Sequence, residues 1–199
     1  MEKRHFELLA EYNKNANNSM NDIIKTLTEE QWRRQFSGFY KSIPDVCSHI
    51  AYWDFNGFNR CKYLRNFLSL EEKFSDYEIF EMYSLKIADN KKEYLNKNLV
   101  SSKYLFENSS IDEYINTRKI LDNRITKFID EITIDDLDGI IEFIGINGTK
   151  FKWRISELII HLFNHETHHR GMISLYLDML EKENDFSNLI WYFNMNSSE

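Results

Sequence analysis

The stretch H-L-F-N-H-E-T-H-H-R-G-M-I, residues 161–173, holds four of the chain's six histidines and decides how the rest is read. At ~100° per residue on a helix, His161, His165 and His169 follow one another at offsets of about 40°, and His168 falls about 60° to one side of His165. All four fit within an arc of roughly 100°, on the stripe that also carries Leu158, Met172, Tyr176 and Met179. The spacing predicts a long helix from Ser156 to about Glu181 whose apolar stripe, histidines included, faces the interior. Several imidazoles buried without partners would each cost roughly 1–3 kcal/mol, whereas a metal ion with hydrogen-bond acceptors behind its ligands satisfies them. Metal binding is therefore the expected use of the cluster.

Working outward, composition sets the frame. The chain has 199 residues, 42% hydrophobic and 29% charged, with one proline and six glycines, a composition that suits a single globular domain over 1–199 running mostly through helices. The net charge is −7, without a Lys/Arg block, which argues against a nucleic acid partner. No run approaches the ~20 apolar residues of a membrane span, and the first residues have no apolar signal region, so the expectation is no membrane association and a cytoplasmic location. Cys47 and Cys61, if both lie on one helix, stand roughly 21 Å apart, too far to bridge each other. Cys47 reads as a small buried hydrophobe.

Three further helices are legible. Phe6, Leu9, Tyr12, Ala16, Met20, Ile23 and Leu27 recur at helical spacing over residues 5–30. The segment S-I-P-D, residues 42–45, opens a helix with Pro44 in its first turn and Asp45 near its positive end, and this helix runs into the sixties. Ile111, Tyr114, Arg118, Leu121, Ile125, Phe128 and Ile132 mark another, opened by a capping box of Ser110 and Glu113. Residues 70–110 read as connecting structure with one short helix. Before the last helix, β-branched and aromatic residues flank Asn147-Gly148, a dipeptide suited to a tight turn, which predicts a short hairpin or extended loop. The expected fold is all-α, a four-helix bundle with that hairpin before the last long helix.

Two histidines four apart can share one ion, but an open catalytic site commonly has three protein ligands. Only His5 and His49 lie outside the cluster. His49, a little over one turn into the second long helix, is better placed than His5, which sits near a terminus expected to fray. His165, Glu166 and His169 also satisfy H-E-x-x-H, the zinc peptidase pattern with glutamate as general base. Neither downstream extension of that pattern follows, and Glu166 lies about 100° from His165, away from the histidine stripe, so it reads as a solvated residue or one that supports a ligand.

Y-N-K-N-A-N in the first helix, K-S-I-P-D-V-C-S-H-I in the second and H-L-F-N-H-E-T-H-H-R-G-M-I in the last together resemble the DinB family, DinB/YfiT-like metalloenzymes, over nearly the whole chain. Met172 stands where that family commonly has glutamine. The resemblance implies a four-helix bundle, often a homodimer, with a divalent metal, zinc or nickel, on His49, His165 and His169. Characterised relatives include thiol-dependent transferases and isomerases that use glutathione, mycothiol or bacillithiol. The implied activity is a metal-dependent S-transferase or isomerase acting on small electrophiles through an activated thiol or water. A metal-binding bundle with a structural or interaction role is the competing reading, and a zinc metallopeptidase the third.

Overall fold

The computed structural model describes residues 2–61, 106–144, 149–190 and 192. Among these are four long helices, α1 (Lys3–Ile24), α3 (Ile43–Cys61), α4 (Ile111–Glu131) and α6 (Ile155–Asp178), and two single-turn helices, α2 (Glu29–Trp32) and α5 (Ile134–Leu137). Strands β1 (Ile140–Ile144) and β2 (Lys150–Arg154) pair antiparallel just ahead of α6. The described residues are mostly helical with one small two-stranded sheet, and none of the described helices is long and apolar enough to cross a membrane. The connecting structure expected over 70–110 lies outside the described residues up to 105, as does the Asn147-Gly148 turn.

Local chemistry accounts for the element ends. The helix expected over 5–30 stops at Ile24, because the Thr28 hydroxyl accepts from the Gln31 backbone N–H at 3.1 Å while the Gln31 carboxamide accepts from the Thr28 N–H at 3.0 Å. That capping box starts a new turn, α2, which buries Trp32 completely. In α3, Pro44 occupies the first turn and Asp45 accepts from the Lys41 N–H at 2.9 Å. The Ser110–Glu113 box opens α4 as its sequence predicts. A Thr133–Asp136 box then turns the chain into α5.

The long helices bury one continuous core. α1 packs on α4 and α6, and α3 packs on α6 and α4. Phe6, Ala10, Met20 and Ile24 of α1 meet Ile125 and Ile129 of α4 and Leu158, Leu162 and Ile173 of α6 within that core. Cys47 is buried in it as a free thiol, pushed up to about 12 by burial. In the hairpin, Ile141 and Trp153 are paired, Ile141 buried and Trp153 partly so, while Glu142 and Lys152 form an exposed ion pair at 3.2 Å. Gly139 accepts from the Ile155 N–H at 2.9 Å, which ties the hairpin to the first turn of α6.

Candidate metal centre

Two helices supply the three imidazoles. α3 presents His49 and α6 presents His165 and His169, one turn apart. His49 Nε2 lies 3.0 Å from His165 Nε2, and His169 Nε2 lies 3.1 Å from His165 Nε2. One ligand atom from each of the three residues lies within 4.8 Å of the others. A ring nitrogen carries either one proton or one lone pair in the ring plane, so His165 Nε2 cannot satisfy both neighbours by hydrogen bonding. A single ion can satisfy all three, since ligand nitrogens ~2.05 Å from a metal stand about 2.9–3.4 Å apart at octahedral or tetrahedral angles.

The electrostatics agree with that donor set. Burial holds His49, His165 and His169 each down at about 4, and their mutual repulsion reinforces it. All three imidazoles are therefore neutral at pH 7, with lone pairs to offer. Among the described residues, the hydrogen-bond acceptors expected behind the ligands are not in place for two of them. Nδ1 of His165 and of His169 is buried without a hydrogen-bond partner among the described residues.

The rotation of α6 corrects the expected stripe. His161 and His168 are exposed, and Met179 retains 51% of its accessible surface, whereas Leu158, Leu162, Glu166, Arg170, Ile173 and Leu177 form the buried line. His169 is buried and His165 partly so, which puts the pair on the flank of the buried face. Periodicity defined the width of the arc but placed its centre wrongly, because charged residues were expected to point outward. His5 is exposed and takes no part in the site.

Glu166 is the largest departure from expectation. It is 0% exposed, so it is neither solvated nor turned toward the imidazoles as a general base. Asn13 Nδ2 donates to its Oε1 at 2.7 Å and Asn17 Nδ2 to its Oε2 at 3.1 Å. Arg170 Nη1 stands 3.4 Å and Arg118 Nη1 4.0 Å from Oε2. Arg118 also donates to Asp54 at 2.6 Å and lies 2.7 Å from Asp122, while Arg170 donates to Asn13. Burial raises the Glu166 carboxyl, but the two guanidinium groups and two amides outweigh it and hold the group below its ordinary value.

The sequence did carry a signal for this network. Asn13 and Asn17, Arg118 and Asp122, and Glu166 and Arg170 are all four residues apart on their helices, and Arg118 occupies a position in the apolar stripe of α4. Two rim residues were also missed. The Tyr40 ring lies 5.0 Å from that of His49 and 5.4 Å from that of His169, and Trp53, one turn beyond His49, lies 5.7 Å from His165. Tyr40 is held from behind, where its carbonyl accepts from the Tyr176 hydroxyl at 2.5 Å.

These features define a class: a helical protein whose long helices bring three neutral histidines to one point beside a buried network of charge. The chain belongs to the DinB family, whose sequence model matches residues 1–195. No curated protein and no solved structure matches it.

Proposed function

We propose that this chain is a divalent-metal-dependent enzyme, a single four-helix-bundle domain over 1–199 that works as a homodimer in the cytoplasm. His49, His165 and His169 hold the ion, zinc or nickel. The observation that carries this reading is the approach of three Nε2 atoms from two helices to 3.0 and 3.1 Å, a contact that protons alone leave unsatisfied. When bound, the ion supplies a Lewis acid that lowers the pKa of a thiol or water at its open position. The protein's own part is to hold three lone pairs in place at pH 7 and to wall the site with Tyr40 and Trp53. Only three protein ligands converge among the described residues, which favours an open site over a closed structural one. The reaction that suits this arrangement is transfer of a low-molecular-weight thiol to a small electrophile, or its isomerisation. The peptidase reading lacks its base, because Glu166 is committed to Asn13, Asn17 and Arg170.

The test is metal analysis of protein purified without a histidine tag. Wild type is expected to hold about one ion per chain, and His165→Ala to lose it. Undiminished metal in the variant overturns the ligand assignment. Conjugation assays with several thiols and small electrophiles then separate an enzyme from a bundle whose metal is structural, and the latter also melts far lower after chelation.

A further inference from the structure

A loop ties together the two helices of the metal centre. Residues 36–41, between α2 and α3, close on themselves: the Phe36 N–H donates to the Lys41 carbonyl at 2.7 Å, and Lys41 Nζ to the Gly38 carbonyl at 2.9 Å. The closed loop is fastened to α6 through Tyr176, two turns beyond His169. The buried Phe36 ring stacks on that of Tyr176 at 4.1 Å with 3° between their planes, and the Tyr176 hydroxyl donates to the Tyr40 carbonyl at 2.5 Å. A side chain at Gly38 would run into that hydroxyl, so glycine there lets the loop come close.

What the loop delivers is the Tyr40 ring. Its centroid lies 5.0 Å from that of His49 on α3, tilted by 46°, and 5.4 Å from that of His169 on α6, at 88°. Phe39 packs edge-on against the same ring at 5.0 Å. These are the separations of aromatic pairs in contact, and such pairs prefer particular orientations. Orientation matters to a ligand, because rotation of an imidazole about its Cβ–Cγ bond has broad minima and swings Nε2 along an arc. A ligand nitrogen has to be held within about 0.5 Å of its productive position, which calls for neighbours whose own conformations are locked. Tyr40 meets that requirement for two ligands from different helices, and its backbone is held by a residue of the second helix. Resting on the metal reading above, we infer that Tyr40 is a positioning residue of the metal centre. By ring packing it fixes the rotation of the His49 and His169 imidazoles, while Tyr176 holds it in place. The role belongs to the ring and makes no use of the Tyr40 hydroxyl.

Cobalt(II) tests this, because its visible absorption reports ligand geometry as well as occupancy. Protein purified without a histidine tag and stripped of metal is titrated with cobalt(II), and thermal melting of the same samples shows that each variant folds. Tyr40→Leu is expected to bind the ion about tenfold more weakly, the order that two lost ring contacts supply, and to show an altered spectrum when fully loaded. Tyr40→Phe keeps the ring, so its affinity is expected within about twofold of wild type and its spectrum unchanged. Tyr176→Phe keeps the stack on Phe36 and loses the hydrogen bond to the Tyr40 carbonyl, and is expected to bind about threefold more weakly. Wild-type affinity and spectrum in a folded Tyr40→Leu overturn the inference, and so does a Tyr40→Phe as impaired as Tyr40→Leu. Should Tyr40→Leu fail to fold, Tyr176→Phe takes its place, and wild-type affinity and spectrum there overturn the inference. Wild type separates the two readings. A wild-type chain that takes up no cobalt(II) overturns the metal centre and this role with it, whereas cobalt(II) held equally by wild type and a folded Tyr40→Leu keeps the metal centre and removes the role of Tyr40.

Discussion

Arg118→Met puts the buried network to its hardest test. The guanidinium is 2% exposed and stands 2.6 Å from Asp54, 2.7 Å from Asp122 and 4.0 Å from Glu166. Methionine fills similar space without charge, so the loss is electrostatic and little cavity is made. Three buried carboxylates then lose the guanidinium they share, while Glu166 keeps Arg170 at 3.4 Å. Breaking a buried pair on one side costs about 3–5 kcal/mol, and that loss is the expectation at pH 7. Asp54 is already held well above the ordinary carboxylate range by burial and by the neighbouring Glu166, and burial raises Asp122 to about 6. Without Arg118 both move further up, so the folded variant takes up protons more readily than its unfolded chain as pH falls toward 4, and acid favours folding. The destabilisation read by urea unfolding should therefore be smaller at pH 5 than at pH 7. Asp54→Asn is the control, and because it removes surplus negative charge it should cost less than about 1 kcal/mol. A loss under ~1 kcal/mol for Arg118→Met at pH 7, or an equal loss at both pH values, would show that the network is not held together by this charge balance.

In metal-free protein, the folded values of about 4 for His49, His165 and His169 lie below the ordinary value of 6.5, so the unfolded chain is protonated first as pH falls from 6.5 to 4. Stability lost across that window should be smaller in His165→Gln than in wild type, and identical melting curves against pH contradict the shift. A Cβ at Gly57 would meet Leu162 Cδ1 at 2.6 Å, so Gly57→Ala should push α3 from α6, cost about 1–3 kcal/mol and weaken metal affinity together, read by melting and by metal titration. Loss of the Ser110 hydroxyl in Ser110→Ala should cost about 1 kcal/mol in urea unfolding while metal affinity stays unchanged, because this cap lies outside the site.

Much of this protein can be read locally. Helix stripes, the Ser110 and Pro44 helix starts and the extended residues around the hairpin all follow from short-range rules, because capping and turn preferences act over three or four residues. The end of α1 at Ile24 was equally local, in the Thr28–Gln31 box, but continued periodicity through Leu27 masked it.

The histidine spacing on α6 likewise determined that His165 and His169 can share an ion, since a turn of helix sets their separation. What tertiary structure alone decided is the direction in which α6 faces. Periodicity gives the angles between side chains and leaves open the rotation of the whole helix about its axis. That rotation is set by partners far away in sequence: Asn13 and Asn17 on α1, and Arg118 and Asp122 on α4, make the interior hospitable to Glu166 and Arg170. With those two charges drawn inward, His161 and His168 turn to the surface and His165 and His169 come to the flank, within reach of His49 on α3.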